Sequence, residues 1–129
     1  MALHRKDFFG LRDLTADDIR YILSTAETMK YILNQKNKKV PHLQGKSVII
    51  LFYEQSARAK LSYELAAQHL SANVVDMTNS AHSMERESLQ DMGQLVDQMG
   101  ADFIILRHPM AGAARLLAEC VEASVINAG

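Results

Sequence analysis

The apolar runs VIILF (residues 48–52) and FIIL (residues 103–106) restrict this chain more than any other feature of it. Neither alternates apolar with polar residues, as a strand with one wet face must. Such runs fit strands covered on both faces, which is the situation in parallel sheets flanked by helices. Parallel neighbours need crossover connections, and those crossovers are usually helices.

The intervening sequence supplies them. Strand patterns fall at Ser47–Tyr53, Asn73–Met77, Phe103–Arg107 and Ser124–Ile126, and helical spacing at about Ala57–Leu70, Ser88–Met99 and Ala113–Cys120. An earlier helix begins after Thr15, where Thr15 and Asp18 have the spacing of a capping box. It carries Ile19, Ile22, Leu23, Ala26, Met29 and Leu33 along one stripe. Strand and helix in alternation predict an α/β fold: a doubly wound, four-stranded parallel sheet with helices on both faces. Ligands of such sheets bind beyond the carboxyl ends of the strands. Three segments are expected to gather there: Glu54–Lys60, Thr78–Arg86 and Arg107–Gly112.

With 129 residues the chain can hold one domain around one core. A net charge of -1 without runs of like charge gives no nucleic-acid or polybasic membrane signal. No segment has the length and apolarity of a membrane span or a signal peptide. The lone Cys120 excludes an internal disulfide framework and fits a reducing compartment, so a cytoplasmic setting is expected. In the pattern LLAEC it reads as a small core residue. The five His residues are scattered and make no metal-ligand cluster, so no metal site is expected.

The turn after the first apolar run carries the chemistry. In FYEQSARAKLSYELAAQHL (residues 52–70), Ser56 and Arg58 stand where a helix begins behind a buried strand. The first N–H groups of a helix have no partner within it and lie at the positive end of its dipole. A hydroxyl and a guanidinium in that turn add a donor and a full charge, and a phosphate is the natural guest. Ser56 also suits a helix N-cap, a role compatible with anion contact. A cation such as Arg58 opposes the dipole unless an anion offsets it.

The same stretch resembles the carbamoyl-phosphate signature of the aspartate and ornithine carbamoyltransferases, where F-x-E-x-S-T-R-T-R-x-S-F-E is usual. RESLQDM resembles the family's K-G-E-S/T-L-x-D-T segment. RHPMAGAARLLAE followed by VINAG resembles the aspartate branch in particular, and FFGLRDLTADDIRYIL resembles the family's first helix. The resemblance covers nearly the whole chain, in order and at the family's spacing. It implies the first of the family's two α/β domains, spanning residues 1–129. The family's downstream H-P-x-Q motif, amino-acid-binding domain and closing helix have no counterpart in these residues. An excised domain or a truncated product is therefore expected, inactive by itself. The resemblance also implies transfer of a carbamoyl group from carbamoyl phosphate to aspartate in pyrimidine biosynthesis. No metal or cofactor is implied. The implied assembly is a homotrimer whose sites are shared between subunits.

Carried over residue by residue, the resemblance makes Ser56 a phosphate contact and Arg58 a direct phosphate ligand. Arg107 would reach the substrate near its carbonyl and phosphate. These residues, with Ala57 and Ala59, are the expected substrate site, Arg58 and Arg107 its catalytic pair. His108 is expected to be structural, Glu54 to orient a nearby Arg, and Glu87 to be a first-turn helix carboxylate. The chain departs from the pattern at the chemistry. Ala57 and Ala59 replace two threonines, each of whose hydroxyls would be worth about 1.5–3 kcal/mol against a charged group. Lys60 replaces an arginine and loses its planar fork. In the loop that the family inserts into a neighbouring subunit, here represented by Ser83, Glu85 and Arg86, Glu85 replaces a lysine and Arg86 a glycine. Three readings follow: the carbamoyl-phosphate domain of an aspartate carbamoyltransferase-like enzyme, a catalytically silent paralogue serving as an anion-binding, regulatory or assembly module, or a divergent transcarbamylase acting on another amine.

Overall fold

A computed structural model describes residues 3–77 and 86–129. Helix α1 spans Ala16–Leu33, followed by β1 (Ser47–Phe52), α2 (Ala57–His69), β2 (Asn73–Asp76), α3 (Leu89–Gln98), β3 (Phe103–Arg107), α4 (Ala113–Cys120) and β4 (Ser124–Asn127). The four strands form one sheet in the order β2-β1-β3-β4. Every pairing is parallel, with Ile50 opposite Asp76, Phe52 opposite Arg107 and Leu106 opposite Asn127. The chain thus winds outward from β1 on one side, then returns to begin again on the other. That reversal between β1 and β3 is the topological switch point of a doubly wound sheet.

The apolar runs do what their composition requires. Side chains alternate between the two faces of a strand. Ile49, Leu51, Ile104, Leu106 and Val125 point to one face and bury with Met92, Val96, Ala113, Ala114 and Leu117 of α3 and α4. Val48, Ile50, Phe52 and Ile105 point to the other, against Ala67 of α2. Helices therefore cover both faces. Gly93 lets α3 and α4 approach closely, because a Cβ there would run into Leu117 Cδ1. The outer edge of β4 is closed by the N-terminal segment. Phe8 bridges Ile126 in parallel, and the Asp7 carboxylate accepts from Val125 N at 2.8 Å. This covers an edge that would otherwise offer unpaired backbone groups.

The capping box of α1 is present: Thr15 Oγ1 accepts from Asp18 N at 3.1 Å, and Thr15 N donates to Asp18 Oδ2 at 3.0 Å. That backbone bond, with help from Arg5, holds the Asp18 carboxyl below its usual range. The apolar stripe of α1, by contrast, buries no residue fully, and Leu23 is 62 % exposed. Periodicity made the helix, but the described residues cover its apolar face only in part, with Ile19, Ile22 and Met29 half-buried. Glu87 is not a first-turn residue. Ser88 is the N-cap of α3, accepting from Asp91 N at 3.0 Å, so Asp91 is the first-turn acid and Glu87 precedes the cap. Among the described residues, no helix is long and apolar enough to cross a membrane.

Candidate anion site at the switch point

Because β1 and β3 are neighbours and Phe52 pairs with Arg107, the segments that follow them meet at the carboxyl edge of the sheet. Tyr53 N donates to Arg107 O at 2.8 Å, which carries the pairing one residue beyond the strand. Glu54 and Ser56 follow on the β1 side. Two of the three expected segments, Glu54–Lys60 and Arg107–Gly112, are therefore together. Of the third, Thr78–Arg86, only Arg86 is described, and it is exposed; Ser83 and Glu85 lie outside the described residues.

Ser56 is the N-cap of α2, and its Oγ accepts from Ala59 N at 3.4 Å. Its carbonyl accepts the next helical bond, from Lys60 N at 2.9 Å. The hydroxyl thus uses a lone pair on the helix and keeps its proton for another acceptor. The N–H groups of Ala57 and Arg58 make no hydrogen bond among the described residues, as expected of a first helical turn. No acidic side chain lies in that turn. Arg58 is exposed and makes no ion pair among the described residues. Ala57 is exposed, whereas Ala59 packs partly against the α2 face of the core. Lys60 leans away from the turn and pairs with Asp76 at the end of β2, 3.2 Å away, so much of its charge is neutralised locally.

Arg107 comes in from the adjacent strand. Its Nη1 donates to Ala128 O at 2.9 Å, and its Nε faces Glu54 Oε2 at 3.9 Å. That separation is an ion pair but too long for a hydrogen bond. Nε is buried without a hydrogen-bond partner among the described residues. Glu54 does therefore face an arginine, as its position suggested. His108 is structural as expected: Nδ1 accepts from Met110 N at 3.0 Å, shaping the turn before α4, and the ring lies against Tyr53 at 4.7 Å. An accepting Nδ1 puts the proton of the neutral ring on Nε2. Burial raises the Tyr53 phenol above its ordinary value, and its hydroxyl has no hydrogen-bond partner among the described residues.

A notch of about 160 Å³ opens between Glu54, Ser56, Ala57 and Lys60. Pockets that enclose a small ligand run to roughly 300 Å³ and more, so this notch can grip only part of one. A wider cleft of about 410 Å³ runs beside Phe9, Arg12, Pro109 and Gly112, and touches neither Ser56 nor Arg58. Among the described residues, no group of three or more His, Cys, Asp or Glu side chains is placed to hold a metal ion. Reading the sequence alone missed the hold of Ala128 on Arg107 and the pairing of Lys60 with Asp76. Both depend on strand register, which local sequence does not display.

The arrangement can bind a small oxyanion with backbone N–H groups, one hydroxyl and two guanidinium groups. Known proteins share the fold. Residues 6–129 match the family model described as the carbamoyl-P binding domain of aspartate/ornithine carbamoyltransferase. The chain is 58% identical to the aspartate carbamoyltransferase catalytic subunit of Acetivibrio thermocellus, over all of this chain and 42% of that protein. It superposes on the catalytic subunit of the M. jannaschii aspartate transcarbamoylase with a TM-score of 0.87 at 37% identity, covering 97% of this chain and 41% of that one. The Trypanosoma cruzi aspartate transcarbamoylase in complex with carbamoyl phosphate shares the fold, at a TM-score of 0.85 and 23% identity over 95% of this chain and 38% of that one. The chain spans about two fifths of the length of these relatives.

Proposed function

Since the chain belongs to the aspartate/ornithine carbamoyltransferase family, as its carbamoyl-phosphate-binding domain, we propose that it forms the carbamoyl-phosphate half-site of an aspartate carbamoyltransferase. The observation that carries the reading is the first turn of α2, where Arg58 is exposed and makes no ion pair among the described residues, following a strand whose end pairs with Arg107. The reaction is attack of the aspartate amine on the carbonyl carbon, with phosphate leaving. Charge builds on the phosphate oxygens as the C–O bond breaks. Donors already fixed around those oxygens stabilise that charge without rearrangement. In this reading Ser56, the first-turn N–H groups of α2 and Arg58 hold the phosphate. Arg107 reaches from the neighbouring strand toward the bond between phosphate and carbonyl. Fixing both ends also orients the carbonyl for attack.

Ala57 and Ala59 leave this half-site with fewer donors than the family's usual turn, and weaker phosphate binding is expected. The silent-paralogue reading gains nothing from the relatives, which are catalytic subunits by name. The proposal includes a homotrimer with sites completed between subunits, and a cytoplasmic setting in keeping with the free thiol of Cys120. Calorimetric titration of the chain with carbamoyl phosphate, against inorganic phosphate, tests the reading. Tighter binding of carbamoyl phosphate, weakened in Arg58→Ala and in Arg107→Ala, is the expected result. A folded chain that binds neither anion would sink it.

A further inference from the structure

We infer that Gly129 is a positioning residue: by having no side chain it forms the seat in which the Arg107 guanidinium lies, and so sets where that charge is presented. The inference rests on the anion-site reading and deepens it. A Cβ on Gly129 would stand 2.5 Å from Arg107 Nη1 and 3.4 Å from its Cζ. The position also has φ +119°, a conformation that side-chain-bearing residues rarely adopt.

The backbone at Gly129 is poorly placed to retreat. Its N–H donates to Asn127 Oδ1 at 3.1 Å, and its carbonyl accepts from His108 N at 3.3 Å. Ala128 N donates to Leu106 O at 2.7 Å, which extends the β3–β4 pairing past the strands. Asn127 is itself held, through Nδ2 to Phe9 O at 3.0 Å. Against a backbone fixed on both sides, the flexible guanidinium is what must move. It would lose its bond to Ala128 O. Its other partner is Glu54, whose carboxylate now stands 3.9 Å from Nε. A closer pair there would spend the charge that an anion needs. Residue 129 thus decides whether Arg107 serves a ligand or Glu54.

Gly100 provides a matched control. It has φ +98°, yet a Cβ there meets nothing within 4 Å, and it sits in the turn after α3. Gly100→Ala carries the backbone strain without the guanidinium clash. The direct readout is the Arg107 Nε–H resonance in ¹⁵N-labelled chain, assigned by its disappearance in Arg107→Lys. Gly129→Ala should move it clearly and Gly100→Ala should not. A resonance unmoved by Gly129→Ala would overturn the proposal. The functional readout is a double-mutant cycle with carbamoyl phosphate as the probe. Gly129→Ala should weaken binding by about tenfold or more, the scale of one bond to a charged group, and should have no further effect in an Arg107→Ala background. The same loss in both backgrounds would also overturn it. If the parent chain binds no carbamoyl phosphate, the proposed function fails on that ground, and the Nε resonance still decides the role of Gly129.

Discussion

Replacing Ser56 by alanine removes two things at once, and the structure allows them to be weighed separately. One is the N-cap. Its bond to Ala59 N is long, at 3.4 Å, so its loss belongs at the weak end of the usual range, about 0.5 kcal/mol. That corresponds to a fall of about 2 °C in Tm for a domain of this size. The other is the hydroxyl proton, which the cap leaves free for an anion. A bond from a neutral donor to a charged group is worth about 1.5–3 kcal/mol, or roughly 10- to 150-fold in Kd. The two losses therefore differ in scale and appear in different instruments. Ser56→Ala should melt within a few degrees of the parent while its carbamoyl-phosphate affinity, by calorimetry, falls at least tenfold. Ser56→Thr should keep both properties. If Ser56→Ala lowered Tm by many degrees and left affinity intact, Ser56 would be a helix cap and no part of an anion site.

Adding hydroxyls should have the opposite effect: Ala57→Thr with Ala59→Thr should tighten phosphate binding by two to four powers of ten if both act fully and additively. The exposed Ala57 should contribute more than the partly packed Ala59, as titration of the single variants would show. Gly93→Ala should cost about 1–3 kcal/mol by overpacking against Leu117, and Leu117→Ala about 3–5 kcal/mol. The double variant should cost less than the sum by 1 kcal/mol or more, measured by urea unfolding, because the new methyl fills part of the cavity. Tyr53→Phe removes a buried hydroxyl that has no partner among the described residues, so it should leave stability unchanged or raise it by about 1 kcal/mol. Burial raises the Tyr53 phenol above 10.0, so the folded state favours the protonated form. That contribution is whole below the unfolded value and is lost as pH rises through the folded one. Unfolding curves above about pH 10 should accordingly be flatter in pH for Tyr53→Phe than for the parent.

Much of this was written locally. The runs at residues 48–52 and 103–106 had to be doubly covered strands, and they are. Thr15, Ser56 and Ser88 sit where short polar side chains before apolar periodicity mark helix starts, and all three cap. What stayed hidden depends on pairs distant in sequence. Lys60 reads as a free cation beside Arg58 until the β1–β2 register sets Asp76 near it. Arg107 reads as a residue at a strand end, and only the β3–β4 register shows Ala128 holding it. The stripe on α1 misled in another way. Helical spacing says that a face is apolar, not that this chain supplies its cover, and Leu23 and Leu33 remain exposed.

The charges at the switch point make a further demand. Carbamoyl phosphate is a dianion near neutral pH. Arg58 and Arg107 offer two positive charges, but Glu54 faces Arg107 at 3.9 Å and takes part of one back, while Lys60 is paired with Asp76. The α2 dipole adds about half a charge. The described half-site therefore falls short of neutralising its guest. In a site closed to water that shortfall is costly, because unpaired charge is poorly solvated there. Left open to solvent, as the notch beside Ser56 now is, the same site can hold the dianion only weakly, and added salt should loosen it further. Tight binding thus calls for another cation from outside these residues, or for one that draws Glu54 away from Arg107. The second route is the more efficient, since a single new partner for Glu54 would release Arg107 as well as add its own charge. A titration in the presence of a partner chain should accordingly show carbamoyl-phosphate affinity rising more in the parent than in Glu54→Gln, which has no carboxylate left to be drawn off. Equal gains in both would mean that the added cation acts on the phosphate alone.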